Sequence, residues 1–297
     1  MRNIDVSPIE IRDYALSYGW TLVKEALKEG LFVLNSPHKD YKQLLFPQAP
    51  DSPDFDTLAK LSIHKIADQT KKTADSVIEE IREVNDDVIS LRYFSEHKNV
   101  NSLSLQETIG SIEAIKQMIL AAGSSVINPV LYHKRLTSLE ALELLKKTRF
   151  RHTEQGSLAL KISCPVQLEM VPQIILPGNM SVSRPMSRKA FEIINFSALK
   201  LLNTVKEDGL AELLEEQKQA EKPIISYNFC ESIVNLFDDE TELPFELRFQ
   251  WSRKYLNELP GPQVPSVIRF PYSFKPKLNE LKNYFKPAPK EHAAKSA

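Results

Sequence analysis

Glycine is scarce in this chain of 297 residues, which contains only 8 glycines, whereas an average composition would give about twenty. The eight are scattered singly along the sequence. Loops that cradle phosphates need clustered glycines, because the backbone must approach the ligand closely and adopt positive φ. The sequence therefore excludes a P-loop, a dinucleotide-binding fingerprint, a kinase glycine-rich loop and a GxSxG nucleophile elbow.

Cysteine is rarer still, with Cys164 and Cys230 as its two occurrences. A disulfide framework needs more cysteines than this, and a zinc site needs clustered ligands. The six histidines are also dispersed, and no HxH, HExxH or CxxC pair occurs. We therefore expect two buried, reduced thiols, no metal and no cofactor.

Long apolar runs are missing as well. No stretch approaches the roughly 18 to 20 apolar residues that a membrane-spanning helix requires, and the first twenty residues lack the pattern of a secretory signal. The net charge of −1 excludes a polybasic protein, while 42% hydrophobic residues are enough for a folded core. These features predict a cytoplasmic protein with no membrane partner.

The order of predicted elements indicates an α+β fold, with amphipathic helices packed on short, mostly antiparallel strands. Capping-box patterns at Ser7–Glu10, Ser104–Glu107 and Thr137–Glu140 each predict the start of a helix. Three β-like runs between residues 21 and 46 predict an antiparallel meander, and the alternating FELRFQWS sequence at 245–252 predicts a strand. We expect an N-terminal region over residues 1–100, a helix-rich region over 101–285 and a disordered tail over 286–297, unless the whole forms one compact domain.

The segment HKRLTSLEALELLKKTRFRHTEQGS, residues 133–157, concentrates positive charge in an otherwise neutral chain. Between His133 and His152 it has six basic and two acidic residues, a formal charge of +4. On a helix over 138–148, Leu139, Leu142 and Leu145 are expected to face the core, with Ala141 as a further candidate. The basic side chains are then candidates for binding a phosphate, a nucleic acid or another polyanion: Lys134, Arg135, Lys146, Lys147, Arg149, Arg151 and His152. A solvated or internally paired face and a surface for an acidic protein partner are the alternatives.

A second basic segment lies at residues 183–189, where a helix is predicted to begin. Cations are unfavourable at a helix N-terminus, so an anion shared by Arg184, Arg188 and the helix amides would relieve the conflict. Lys189 belongs to the same candidate site. Exposed side chains that reach into water are the alternative.

Two further segments bear on function. Glu154 stands beside the basic segment and could act as a general base with Arg149 and His152, although a carboxylate near arginines is more often an ion pair. Residues 206–246 contain twelve acidic residues against three lysines. This acidic surface is either an ordinary soluble face, a face that repels nucleic acid or a docking site for a basic partner.

Three strings together, GLFVLNSP with KQLLFP, GSIEAIKQMILAAGSSVINP and RFRHTEQGSLALKISCPV, resemble an uncharacterised family of bacterial cytosolic proteins associated with mobile or defence-related gene neighbourhoods. The resemblance covers most of residues 15–285 and implies a bacterial, intracellular origin. It implies no catalytic residues, because no activity is established for that family.

Taken together, local charge without a catalytic constellation favours a non-enzymatic binding subunit of a bacterial intracellular complex, which contacts nucleic acid or another polyanion. A protein–protein scaffold that uses the acidic surface or apolar helices is the first alternative. An enzyme with an unrecognised site around Glu154 is the second.

Overall fold

The architecture is seen in a computed structural model, which describes residues 5–38, 43–94, 102–151, 159–166, 185–256 and 264–286. The chain forms two compact units, one comprising Met1–Asp86 with Trp251–Gly261 and the other Asp87–Gln250 with Pro262–Ala297. Both units combine helices with antiparallel strand pairs, which confirms the predicted α+β class.

The first unit packs three helices against a small sheet: α1 (Pro8–Ser17), α2 (Phe55–Thr70) and α3 (Ala74–Arg82) with β1 (Thr21–Leu22), β2 (Leu31–Asn35) and β3 (Leu44–Pro47). The strands pair antiparallel in the order β1-β2-β3, so the predicted meander is confirmed. Its first strand has only two residues because the chain turns into a 3-10 helix at Lys24–Glu29. Gly30 ends that turn with a φ of 75°, which glycine adopts without steric cost.

Aromatic side chains fill the core of the first unit, where Tyr14, Trp20, Phe32 and Phe46 are buried. The later segment that starts at Trp251 joins this unit through Val84. The Val84 carbonyl accepts hydrogen bonds from the Ser252 hydroxyl at 2.7 Å and from the Lys254 amide at 3.1 Å. A distant part of the sequence therefore completes the unit, which shows that it is not a continuous stretch of chain.

The second unit contains six helices and five strands within the described residues. The helices are α4 (Leu105–Ile127), α5 (Leu139–Lys147), α6 (Met186–Glu207), α7 (Leu210–Gln219), α8 (Tyr227–Val234) and α9 (Lys275–Tyr284). The strands are β4 (Asp86–Tyr93), which begins at the boundary between the units, β5 (Arg149–Arg151), β6 (Ala159–Pro165), β7 (Phe245–Gln250) and β8 (Val267–Phe270).

The five strands form one sheet in the order β5-β6-β4-β7-β8. Strand β7 pairs antiparallel with both β4 and β8, and its register places Phe245 opposite Tyr93 on one side and Phe270 on the other. These three aromatic residues are buried, and they share one face of the sheet because cross-strand partners point to the same side. The next residue of β7, Glu246, therefore lies on the opposite face.

Helix α4 is the packing centre of the helices in the second unit and contacts α5, α6 and α8.

The capping box of α4 is present as predicted: Ser104 Oγ accepts from the Glu107 amide, and the Glu107 carboxylate accepts from the Ser104 amide. The capping box predicted for α5 is wrong. Ser138 rather than Thr137 caps that helix, and it accepts from the Ala141 amide at 3.3 Å.

Candidate anion-binding surfaces

Helix α5 packs closely on α4 at Gly123. A Cβ atom at Gly123 would stand only 3.2 Å from Ala141 Cβ and from Leu144 Cδ2, so the missing side chain lets the two helices approach. Ala141 and Leu144 are accordingly the buried residues of α5. The prediction that Leu139 and Leu142 face the core is wrong, since these side chains are 69% and 42% exposed.

Strand β5 follows α5 directly and forms one edge of the five-stranded sheet. Arg149 lies opposite Ser163 of β6, and Arg151 lies opposite Lys161, so the two arginines share one side of the strand, as alternation predicts. Arg151 donates from Nε to Ser163 Oγ at 2.8 Å. Phe150 points to the other side of the strand and is 57% exposed.

The α5–β5 surface, as we name it, comprises Phe150 and six cations: Lys134, Arg135, Lys146, Lys147, Arg149 and Arg151. Within the described part of the chain, no ion pair involves Lys134, Arg135, Lys146 or Arg149, and all four are exposed. Glu140 and Glu143 on α5 are exposed too and form no ion pair with any described cation. The acids of this segment therefore do not neutralise its cations.

His133, at the start of the same basic segment, serves a structural purpose. Its ring is buried, and Nε2 lies 3.1 Å from Ser125 Oγ on α4. Its backbone exchanges two hydrogen bonds with the Asn228 side chain: the amide donates to Oδ1 at 2.8 Å, and the carbonyl accepts from Nδ2 at 3.1 Å. Burial lowers the pKa of His133, so the neutral ring links the segment to α4 while its backbone is held by α8.

Arg188 requires a correction. Its guanidinium donates from Nε to Asp87 Oδ2 at 2.7 Å and from a second nitrogen to Asp87 Oδ1 at 2.8 Å, and both side chains are fully buried. The sequence pattern correctly indicated that an anion is needed beside the first turn of α6. That anion is the chain's own carboxylate, so Arg188 does not belong to a surface that binds an external ligand.

The remaining predicted site residues are dispersed. Lys189 is exposed on α6 and lines a cleft of about 400 Å³, whose apolar walls include Ile127, Ile193 and Phe196. His152, Glu154 and Arg184 lie outside the described residues. Of the three residues predicted to share one external anion, Arg188 is buried, Lys189 is exposed and Arg184 lies outside the described residues.

The acidic surface at 206–246 is partly neutralised within the second unit. Six of its twelve acids lie within ion-pair distance of a cation of the same unit: Asp208 (Lys277), Glu215 (Lys218), Glu216 (Lys200), Glu231 (Lys282), Asp239 (Lys275) and Glu246 (Arg248 and Arg269). Helix α9 supplies three of these partners. Ion pairs with cations of the same unit therefore offset half of the acids of this segment.

A cluster of three arginines on the sheet was missed by the sequence reasoning. Register places Arg92 of β4, Glu246 of β7 and Arg269 of β8 in one row across three neighbouring strands. Arg248 stands two residues beyond Glu246 on the same face. Each arginine occupies a polar position of an alternating strand, which sequence can show, but the adjacency of the strands could be seen only in the structure.

Glu246 is the buried anchor of this arginine cluster. Its carboxylate accepts from Arg248 Nε at 2.6 Å on one oxygen and from Arg269 Nε at 2.9 Å on the other. Burial alone would raise the pKa of Glu246, but the hydrogen bonds from Arg248 and Arg269 outweigh that effect and lower it. Glu246 thus stays ionised and fixes both guanidinium groups.

The cysteines, the possible metal ligands and the apolar helices of the described residues complete the description. Cys164 and Cys230 are both buried and form no disulfide there, as expected from the sequence. No group of three or more His, Cys, Asp or Glu side chains suited to a metal ion occurs in the part of the chain that the structure describes. Among the described helices, none has both the length and the apolar character to cross a bilayer.

Comparisons of this chain with protein-family models, with curated proteins and with solved structures found no match.

Proposed function

We propose that this protein is a non-enzymatic binding subunit that contacts single-stranded nucleic acid through the α5–β5 surface. The observation that carries the proposal is the edge strand Arg149–Arg151, in which an exposed aromatic residue alternates in sequence with two arginines. Stacking of bases on aromatic rings and pairing of phosphates with cations are the two general means of binding single strands.

The arrangement favours a single strand over a duplex. Arg149 and Arg151 lie on one side of β5, and Phe150 lies on the other. A single strand along this edge can set its phosphates against the arginines and an unpaired base against Phe150. A duplex keeps its bases stacked inside and offers the ring no exposed base face.

The cations in the approach to β5 extend the same surface. Lys134 and Arg135 precede α5, and Lys146 and Lys147 occupy its last turn, where positive charge also favours the helix dipole. Because Lys134, Arg135 and Lys146 have no described carboxylate partner, they add to the positive potential that attracts phosphates. A bacterial, cytoplasmic setting within a larger, defence-related assembly, which the family resemblance implies, is part of the same proposal.

Fluorescence anisotropy with labelled single-stranded and double-stranded oligonucleotides tests the proposal over a salt series. We expect the single strand to bind more tightly, with an affinity that falls steeply as salt rises. Arg149→Glu should reduce the slope of log affinity against log salt by about 0.7 for each phosphate that the variant no longer neutralises. Phe150→Ala should cost about 1–3 kcal/mol of binding free energy with little change in that slope.

Lys206→Glu is the matched control, since it makes the same charge change at an exposed position of α6 in the same unit. We expect it to leave binding nearly unchanged. Absence of binding at low salt, or equal losses of affinity for Arg149→Glu and Lys206→Glu, would reject the proposal.

The alternative function, a protein–protein scaffold, is favoured by one observation on α5. Leu139 and Leu142 are large apolar side chains that are exposed three residues apart on one helix, beside Lys146. Such a stripe fits a partner protein that offers an apolar ridge flanked by acids. A stoichiometric partner that co-purifies with the wild type but not with Leu142→Glu would support this function, and a lone monomer in native extracts would count against it.

A further inference from the structure

We propose that the arginine cluster Arg92, Arg248 and Arg269 is a second anion-binding site, which takes a phosphate monoester dianion. This site lies on three strands of the second unit and does not depend on the proposed nucleic-acid surface. The three arginines and Glu246 all belong to that unit.

The first argument is the charge that the sheet face leaves unbalanced. On β4, β7 and β8, the residues that share this face by register are Val88, Ser90, Arg92, Glu246, Arg248, Gln250, Val267 and Arg269. The cluster around Glu246 has three arginines and one glutamate, a formal charge of +2, and Asp86 shares the face at the other end of β4, six residues from Arg92. Arg92 and Arg269 each lie opposite Glu246, and Arg248 is the diagonal neighbour of both. A dianion bound among the three guanidinium groups would offset their mutual repulsion.

The second argument is how the carboxylate is used. Glu246 has two oxygens, and each already accepts from one Nε atom, that of Arg248 or that of Arg269. Arg92 stands directly across from Glu246 in the register, yet it forms no ion pair with any described residue. Two arginines are enough to satisfy the buried carboxylate, so neutralisation of Glu246 does not account for the third.

The third argument is preorganisation of the donors. Arg248 is anchored through Nε while its side chain remains 48% exposed, and Arg269 is anchored in the same way at 65% exposure. The Arg269 guanidinium also lies 5.8 Å from the centre of the Phe94 ring, a cation–π contact that restrains it further. Their Nη atoms form no other hydrogen bond within the described chain, so restrained guanidinium edges are available to an anion.

The chemistry of the donors selects the ligand class. Guanidinium groups bind phosphate oxygens bidentately, which gives both strength and orientation. A dianion matches the excess charge of the face, and a phosphate monoester carries close to two negative charges at neutral pH. The guanidinium groups of Arg248 and Arg269 are the exposed donors of the cluster, so we expect the phosphoryl group to be recognised more strongly than the remainder of the ligand.

Isothermal titration calorimetry of the full chain at low, matched ionic strength tests the site. The probes are inorganic phosphate and glycerol 3-phosphate, with chloride as the ionic reference. Both phosphates should bind at one site. Tighter binding of glycerol 3-phosphate supports recognition of an ester, and equal affinities support recognition of the phosphoryl group alone. Heat no greater than that of chloride for both probes overturns the proposal.

Arg92→Gln is the decisive variant, because Arg92 has no described ion pair whose removal would harm the fold. We expect it to weaken phosphate binding by about tenfold, and Arg92→Lys to restore part of the affinity. Arg135→Gln, on the α5–β5 surface, is the control and should leave phosphate binding unchanged. Equal weakening by Arg92→Gln and Arg135→Gln would show that phosphate reports only general charge and would overturn the site.

The experiments can reject the α5–β5 surface and the arginine cluster independently of each other. Loss of oligonucleotide binding in Arg149→Glu with unchanged phosphate binding supports two separate sites. Phosphate binding that persists when no oligonucleotide binds supports the arginine cluster and rejects the nucleic-acid surface. Phosphate binding that is abolished in Arg149→Glu and retained in Arg92→Gln overturns the assignment to the cluster.

Discussion

Arg188 of α6 and Asp87 of β4 form a bidentate ion pair from which solvent is fully excluded. The pair joins the first turn of α6 to the central strand of the five-stranded sheet. Buried charges are tolerated only when they are paired and hydrogen-bonded. This contact therefore makes the position of α6 on the sheet depend on both side chains.

Removing one member of that pair should destabilise the protein severely. We expect Arg188→Met to lower the free energy of unfolding by about 3–5 kcal/mol, because it leaves the Asp87 carboxylate buried without the Arg188 guanidinium. Urea denaturation followed by circular dichroism measures the change. Lys189→Met, at the exposed neighbouring position, should change stability by less than about 0.5 kcal/mol.

The double variant Asp87→Asn with Arg188→Met provides the coupling test. Its loss of stability should be smaller than the sum of the two single losses, because Asp87→Asn removes the buried negative charge that Arg188→Met deprives of its guanidinium partner. Additive losses would show that the two side chains do not act as a pair.

Two glycines of α4 should respond oppositely to alanine. At Gly110 a new Cβ would meet nothing within 4 Å, so Gly110→Ala should add about 1 kcal/mol through better helix propensity. At Gly123 the new Cβ would press on α5, including the Ala141 backbone at 3.3 Å, and overpacking of this kind costs about 1–3 kcal/mol. Gly123→Ala should therefore lower the urea midpoint, and a rise there would contradict the close approach of α4 and α5.

Acid should weaken the protein partly through Glu246. The folded-state pKa of its carboxyl is lowered below the ordinary value of 4.5, so its stabilisation is complete above that value and disappears as pH falls through the folded pKa. We expect the free energy of unfolding to fall below about pH 5, and to fall less steeply in Glu246→Gln. Glu240→Gln, at an exposed position, is the control and should follow the wild-type profile.

The two hydrogen bonds between the Asn228 side chain and the His133 backbone should hold the basic segment on α8. Asn228→Ala removes both hydrogen bonds to the His133 backbone and should cost about 1–3 kcal/mol. Hydrogen exchange measured by mass spectrometry should show faster exchange in the peptide that contains residues 131–138. Unchanged exchange there would indicate that other contacts fix the segment.

Much of the fold was predictable because its causes are local. Capping boxes indicated where α1 and α4 begin, and strict alternation indicated β7. The orientation of α5 was not predictable, because it depends on Gly123, which lies in another helix. Leu139 and Leu142 have the spacing of core residues in the sequence, but the face of α5 that packs at Gly123 is a different one, so both are exposed.

The candidate sites show the same division. The concentration of cations before β5 and the alternation of Arg149, Phe150 and Arg151 were visible in the sequence, because both depend on neighbouring residues. The burial of Arg188 was not, since its partner Asp87 is 101 residues away along the chain. The arginine cluster was hidden for the same reason, because its members come from three strands that include segments far apart in sequence.

The sequence by itself determined the locally encoded elements, such as α1, α4 and β7, the phosphate-loop chemistries that are excluded, and where positive charge is concentrated. These properties follow from residue type and spacing along a short stretch of chain. Only the tertiary structure decided which charges are paired and which remain available, because an ion pair depends on distance in space. Arg188 and Arg92 belong to the same unit, yet one is buried against Asp87 and the other has no described carboxylate partner.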